Sequence, residues 1–218
     1  NAPPVLNVLV PRASHDKLLF ESIPLRRRAQ FSAIYLDQPL VRQLNLVRQI
    51  LPGKRRVAVL LGPDSSQLLP RLKSAISRAG LELLSEEVAA EPEIIPAVSR
   101  LLTGSDLLLA LPDPVVFTRD TARSLLLTTY RHQKPLVGFS QAYVGAGALA
   151  AVYSSPAQIA RQKADWLRNY FPTRGALPPP AYPAYFSVAV NRSVSRAMGL
   201  NLPDEASLQA NVDAMSES

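Results

Sequence analysis

Val57-Ala58-Val59-Leu60-Leu61 runs directly into Gly62-Pro63-Asp64-Ser65-Ser66, a buried-strand pattern followed by a loop of small and polar residues. The same figure recurs twice downstream. Leu107–Leu111 leads into Pro112-Asp113-Pro114, and Leu136–Phe139 leads into Ser140-Gln141-Ala142-Tyr143. Stretches with helical spacing separate the three runs. Short, wholly apolar runs alternating with helices predict parallel strands joined by crossover helices. In such a sheet all three loops lie along one edge, where open α/β sheets hold ligands.

Working outward, Asp64-Ser65-Ser66-Gln67 matches a capping box and predicts a helix to Ala79, with Gly80 at its C-cap. Leu81–Val88 alternates like a strand, and Ile94–Leu102 is helical and closed by Thr103-Gly104. Thr118 is placed to cap a helix reaching about His132, and Ala148–Tyr153 is a further short strand. Ser155-Pro156-Ala157-Gln158 combines an N-cap, a proline at the first helical position and Gln at the third, predicting a helix to about Tyr170. Pro172 to Pro183 reads as a linker, because Leu177-Pro178-Pro179-Pro180 and Tyr182-Pro183 forbid both helix and central strand. Tyr185–Val190 is a strand, Asn191 caps a short helix ending at Gly199, and the tail after Asp204 reads as a frayed helix.

Upstream, Val5–Val10 and Phe31–Leu36 are strands, with His15 and Asp16 in a polar stretch before a weak helix around Lys17–Ser22. Leu40, Leu44, Val47 and Leu51 recur at helical spacing until Pro52-Gly53. The fold class is α/β, with doubly wound and mostly parallel sheets in two lobes, the first of them incomplete. Residues 1–53 form that N-terminal lobe, joined by helix 154–172; residues 54–153 form a self-contained lobe; residues 173–218 supply the linker, the final strand and a C-terminal helix.

The 218 residues are 47% hydrophobic, ample for a packed core, and no apolar run approaches the ~20 residues that span a bilayer. The opening Asn1-Ala2-Pro3-Pro4 is not a basic stretch leading into an apolar one, so no signal peptide lies within these residues. The absence of cysteine removes disulfides, zinc–thiolate sites, thiol catalysis and a lipidated N-terminal Cys within them. The net charge of +7 raises the question of nucleic acid, but its distribution argues against it. Residues 1–56 hold ten Lys/Arg against three Asp/Glu, whereas the remainder holds fourteen of each. The excess sits in Arg26-Arg27-Arg28 and Lys54-Arg55-Arg56, with no interleaved aromatic and no helix-turn-helix or zinc-finger spacing. A basic rim facing an anionic ligand or a membrane surface is the other reading.

Catalytic groups are sparse. His15 lies in an early polar stretch, and His132 ends a helix, where a histidine serves the dipole more readily than it serves as a base. There is no Gly-x-Gly-x-x-Gly, no Gly-Lys-Ser/Thr and no Gly-x-Ser-x-Gly; Gly138-Phe139-Ser140-Gln141-Ala142 fails at its last position. No enzyme activity, metal or cofactor is expected.

A binding role suits what remains. The helix start at Asp64–Gln67, with the Ser65 and Ser66 hydroxyls, can hold a carboxylate or phosphate; the same residues can equally do no more than cap their helix. Asp113, between two prolines, can accept from a ligand ammonium or cap the turn before the Thr118 helix. Phe117 and Tyr143 can flank an apolar ligand body or belong to the core, Ser140 points a hydroxyl to the same edge, and Gly145-Ala146-Gly147 permits a close approach or a hinge.

An ordered set of segments carries a family resemblance. Asp37-Gln38-Pro39 with Arg42-Gln43-Leu44, Arg56–Pro63, Pro135–Ser140, Gly147–Ala151, and Asn191 with Met198-Gly199-Leu200 and Leu202-Pro203 together resemble the ABC-transporter substrate-binding proteins related to tryptophan/tyrosine-binding components. The resemblance covers roughly Phe31 to Asp204. It implies a periplasmic, two-lobed receptor of the type-I periplasmic-binding fold that closes around a small solute in its interlobe cleft and delivers it to a membrane permease. By the same resemblance, the segment after Leu61 and the loops at Asp113 and Ser140 supply one lobe's share of that cleft. Two departures stand out. Family members carry a further strand–helix–strand–helix unit before the point where these residues begin, and often an Asp-Asn pair where Asp113-Pro114 stands. A shortened lobe leaves strand edges unpaired, so Val5–Val10 or Phe31–Leu36 is expected to pair with a second copy or be covered by the tail. The alternative to a receptor is a sensory or protein-interaction module on the same fold, with no solute site.

Overall fold

The computed structural model describes residues 3–173 and 177–216. In chain order the first elements are β1 (Val5–Val10), α1 (Arg12–Ser22), α2 (Leu25–Arg28), β2 (Phe31–Tyr35) and α3 (Leu40–Ile50). There follow β3 (Arg56–Leu61), α4 (Leu69–Arg78), β4 (Glu82–Glu87), α5 (Ile94–Gly104), β5 (Leu107–Leu109), α6 (Arg119–Arg131) and β6 (Leu136–Gly138). The last are α7 (Gln141–Ala146), β7 (Ala150–Tyr153), α8 (Pro156–Thr173), β8 (Ser187–Val190), α9 (Arg192–Ala197) and α10 (Glu205–Ser216). The chain divides into two compact units, Asn1–Gln38 with Ser154–Ser187, and Pro39–Tyr153 with Val188–Ser218.

The larger unit is built on a sheet of order β4-β3-β5-β6-β7-β8, with every pair from β4 to β7 parallel. Val57 to Leu61 are fully buried, the signature of a strand covered on both faces. At the edge, β4 is instead half-buried along Leu83–Glu86 with exposed ends, and carries Glu82, Glu86 and Glu87, charges that discourage edge-to-edge pairing. Right-handed crossovers put α4 on one face and α5, α6 and α7 on the other. The packing agrees: Val98, Leu102, Leu125, Phe117 and Tyr143 share one core with Ala58, Leu60 and Leu108 of the sheet. On the opposite face α3 packs against α4, β7 and α10. These contacts place α3 in the larger unit, which therefore opens at Pro39 rather than at Lys54.

In the smaller unit β1 and β2 pair in parallel. The outer edge of β2 is met by the proline-rich stretch that reads as a linker. Tyr35 donates its amide to the Ala181 carbonyl at 3.0 Å, and Ala181 donates to Ala33 at 2.9 Å, an isolated parallel bridge. Proline excludes a longer ladder here, but one non-proline residue between Pro180 and Tyr182-Pro183 suffices for this pair. The Ser32 hydroxyl adds a bond to the Pro178 carbonyl. α8 opens on a reciprocal cap in which Ser155 N–H donates to Gln158 Oε1 at 2.8 Å and Gln158 N–H to Ser155 Oγ at 3.2 Å.

Three local expectations are revised. α1 begins at Arg12, so His15 and Asp16 are helical rather than in a loop. Residues 66–68 form a 3-10 turn and α4 starts only at Leu69, because Gln67 turns its amide toward the Asp64 carbonyl instead of closing a capping box. Gln141–Ala146, read as part of a loop, is the short helix α7, ended by Gly147 at φ +129°.

Candidate functional site

Because β3, β5 and β6 are neighbours in the sheet, the loops that follow them do reach one edge of the larger unit. What they do there differs from loop to loop. Asp113 is buried, and its carboxylate joins the first two loops. Oδ2 accepts from Ser65 N–H at 3.0 Å and from the Ser65 hydroxyl at 2.7 Å; Oδ1 accepts from Val115 N–H at 2.9 Å and Val116 N–H at 3.1 Å. The Ser65 oxygen in turn accepts from Gly62 N–H at 2.9 Å. Ser65 and Asp113 are thus brought together, but each is engaged by the other and by backbone, and Ser65 has no exposed surface. Ser66 is half-buried, and among the described residues its hydroxyl makes a long 3.4 Å contact to the Pro63 carbonyl.

Gly62 is the residue that makes this tie possible. A Cβ at that position would stand 2.2 Å from Asp113 Oδ1 and 2.5 Å from its Cγ, so only glycine lets the carboxylate cross beneath the loop. The signal in the sequence was a glycine directly after a buried strand.

The third loop builds something else. Ser140 is the N-cap of α7, its Oγ accepting from Tyr143 N–H at 3.2 Å. Tyr143, Phe117 and Phe139 form an aromatic trio with ring centroids 5.2–6.3 Å apart, mostly edge-on. Burial pushes the Tyr143 hydroxyl up to about 12, so it stays neutral and available as a donor. It donates a long hydrogen bond to the Thr118 carbonyl at 3.4 Å.

The trio floors a cavity of about 660 Å³, whose wall includes Phe117, Ser140 and Tyr143 but not Ser65, Ser66 or Asp113. Its far wall is one stripe of α6: Arg119, Ala122, Arg123, Leu126, Leu127 and Tyr130, spaced three and four apart. The opposite stripe of the same helix, Thr121, Leu125, Thr128 and Thr129, is buried in the core. A reciprocal Thr118–Thr121 cap fixes where α6 begins and hence the phase of both stripes. α6 has 13 residues and its neighbour α7 only 6, so α7 runs beside part of α6 and the cavity opens along the rest of this stripe. That second apolar stripe was readable in the sequence as Ala122, Leu126, Leu127 and Tyr130.

At the strand ends of the smaller unit lies a cluster that the sequence did not single out. The Arg12 guanidinium stands 5.7 Å and 5.4 Å from the Tyr35 and Tyr182 ring centroids and donates to the Tyr182 hydroxyl at 2.9 Å. His15 packs edge-on against Tyr35, fully buried, with Nδ1 3.5 Å from Asp16 Oδ1 and, among the described residues, no hydrogen bond at either ring nitrogen. Asp37 is buried beside them. Burial pushes its carboxyl up to about 6, opposed by the Arg12 amide, which donates to Oδ2 at 2.5 Å.

No protein-family model matches the chain, and no curated protein matches its sequence. Among solved structures, a conserved domain protein from Vibrio cholerae O1 biovar eltor aligns with 18% identity and TM-score 0.70 over 96% of this chain and 77% of its own. An ABC domain from Streptococcus pneumonia in complex with L-Trp aligns with 17% identity and TM-score 0.72, over 95% and 70%. The ligand-free, open form of CD0873, a substrate binding protein with adhesive properties from Clostridium difficile, aligns with 17% identity and TM-score 0.67, over 92% and 68%. The chain shares the fold of these structures. Among the described residues, no helix is long and apolar enough to cross a membrane.

Proposed function

We propose that this protein is the solute-binding component of an ABC importer, periplasmic and non-enzymatic, taking a small amphipathic or carboxylate-bearing solute and presenting it to a membrane permease. The observation that carries this reading is the convergence of three strand-end loops on one edge of a parallel sheet, in a fold shared with structures that include an L-Trp complex. Within the larger unit we assign solute contact to Ser66 and Ser140, with Phe117 and Tyr143 beside the apolar part of the solute. Ser65 and Asp113 serve the same site indirectly, by fixing the shape of the first two loops. Self-association through the outer edge of β1, where Val5, Val8 and Leu9 are exposed, belongs to the same reading.

The test is a calorimetric and thermal-shift screen of amino acids, small carboxylates and polyols. A solute at 100 times its dissociation constant adds about 2.7 kcal/mol to stability, a shift that is readily seen. A hit that weakens when Ser140 or Ser66 is exchanged for a bulky apolar residue supports the assignment. Silence across the whole panel favours the interaction module, a reading with its own support: the two most buried polar side chains of this edge are spent on each other.

A further inference from the structure

We propose that the groove between α6 and α7 binds an elongated amphipathic monoanion, a carboxylate with an apolar tail. Its head lies at Arg119 and Arg123, and its tail runs along Leu126, Leu127 and Tyr130 above the Phe117–Phe139–Tyr143 floor. This deepens the solute-binding reading and rests on it.

Size, lining and charge each point the same way. A volume of about 660 Å³ falls within the roughly 300–1,000 Å³ typical of small-molecule sites. Phe117 and Tyr143 are more than nine-tenths buried yet still line it, so the floor is a fixed surface of the core rather than a set of free side chains. Leu127 and Tyr130, by contrast, are 46% and 70% exposed, apolar surface that a tail would cover. Charge is confined to one end: among the described residues, Arg119 and Arg123 are the charged members of the lining, one turn apart at the start of α6. Neither forms an ion pair or a side-chain hydrogen bond among the described residues. Cations at a helix N-terminus oppose the macrodipole, which favours anions there. An anionic head between the two guanidinium groups removes that conflict and gives both a partner.

The geometry also sets the shape of the occupant. Arg119 and Tyr130 are eleven residues apart on one helix, about 16 Å at 1.5 Å per residue. The leucines begin one turn beyond Arg123, a step that a compact solute already spans; covering the whole stripe from Arg119 to Tyr130 takes an elongated chain. Ser140 and Tyr143, whose hydroxyl is neutral, also line the groove as further polar contacts, and Ala146, Gly147 and Val194 add small and apolar surface to it.

The test is isothermal titration of the full chain with dodecanoate below its micelle concentration, alongside dodecanol and the amino-acid, carboxylate and polyol panel. Single-site binding of dodecanoate is expected. It should weaken at least tenfold in the double variant Arg119→Gln/Arg123→Gln, to about the level at which dodecanol binds the unaltered chain. Ala146→Trp, placed on an exposed position of α7, should fill the groove and abolish binding while the thermal melt stays close to that of the parent. If that variant folds poorly, Leu127→Glu on the exposed wall serves instead, repelling both tail and head. Three results overturn the inference: dodecanoate is silent while a compact polar solute binds, which leaves the solute-binding reading standing; both are silent, which removes that reading as well; or dodecanoate binds unchanged in the groove variants. A dimer detected by light scattering that Ala146→Trp dissociates, with no dodecanoate bound, assigns the groove to a second copy and likewise overturns it.

Discussion

Asp37 and Asp113 are both buried aspartates standing just past the end of a parallel strand, one in each unit, and they are held in unlike ways. Asp113 accepts four hydrogen bonds, two on each oxygen, from two loops that are 48 residues apart. Asp37 receives the Arg12 amide, with Asp16 nearby as a like charge, and its carboxyl is driven up to about 6. The difference teaches that burial alone does not decide what a strand-end carboxylate does. Enough donors turn it into a structural clip; too few leave it close to taking up a proton at mild acidity.

The comparison can be broken most sharply at Gly62. Replacing it with alanine sets a methyl against the Asp113 carboxylate, and loss of about 4 kcal/mol in urea unfolding is expected, a size reserved for strain of this kind. A loss under about 1 kcal/mol, within the range of ordinary surface changes, would mean that the carboxylate is not fixed where the hydrogen bonds put it. Asp113→Ala should cost about 3 kcal/mol, because it strands three backbone amides and a serine hydroxyl in the interior. Asp113→Asn should cost less, since one acceptor oxygen survives.

At Asp37 the sign runs the other way. The native carboxyl sits near 6 against 3.8 for an unperturbed one, so the folded chain binds the extra proton between those values. Stability is therefore greatest below the lower value and falls as pH rises through about 6, by at most about 3 kcal/mol. Asp37→Asn should flatten that slope; an unchanged unfolding curve from pH 4 to 7 in both proteins would overturn this account of the Asp37 carboxyl. The smallest effects belong to the loop serines. Ser140→Ala should remove a helix cap at a cost of about 1 kcal/mol, whereas Ser66→Ala should stay within about 0.5 kcal/mol, measured by the same denaturation.

Much of the fold was legible because its signals are local. Val57–Leu61, Leu107–Leu111 and Leu136–Phe139 announce buried strands by composition alone, although the last two strands stop earlier, at Leu109 and Gly138, and Thr118 and Ser155 mark their helices by capping chemistry. α7 was hidden by its length and by Gly145, and the Ala181 bridge by being a single residue among prolines. The site was less legible for a related reason. The sequence nominated Ser65 and Asp113 separately as ligand contacts, and nothing in periodicity reveals that residues so far apart satisfy each other. The groove follows from a mismatch between the lengths of two helices, which a boundary error of a few residues conceals. The Arg12–Tyr35–Tyr182 cluster joins positions up to 170 apart, far beyond any window of spacing.

The route of the chain through the two units bears on how the molecule is made. The larger unit starts at Pro39 and resumes at Val188, with part of the smaller one inserted between. α3 is among its first elements to leave the ribosome, yet Leu208 and Val212 of α10, the helix it packs against, are translated more than 150 residues later. During synthesis the apolar flank of α3 must wait uncovered, so chaperone dependence and any cotranslational misstep should concentrate there, and a nascent chain stalled before position 205 should remain protease-sensitive across residues 40–50.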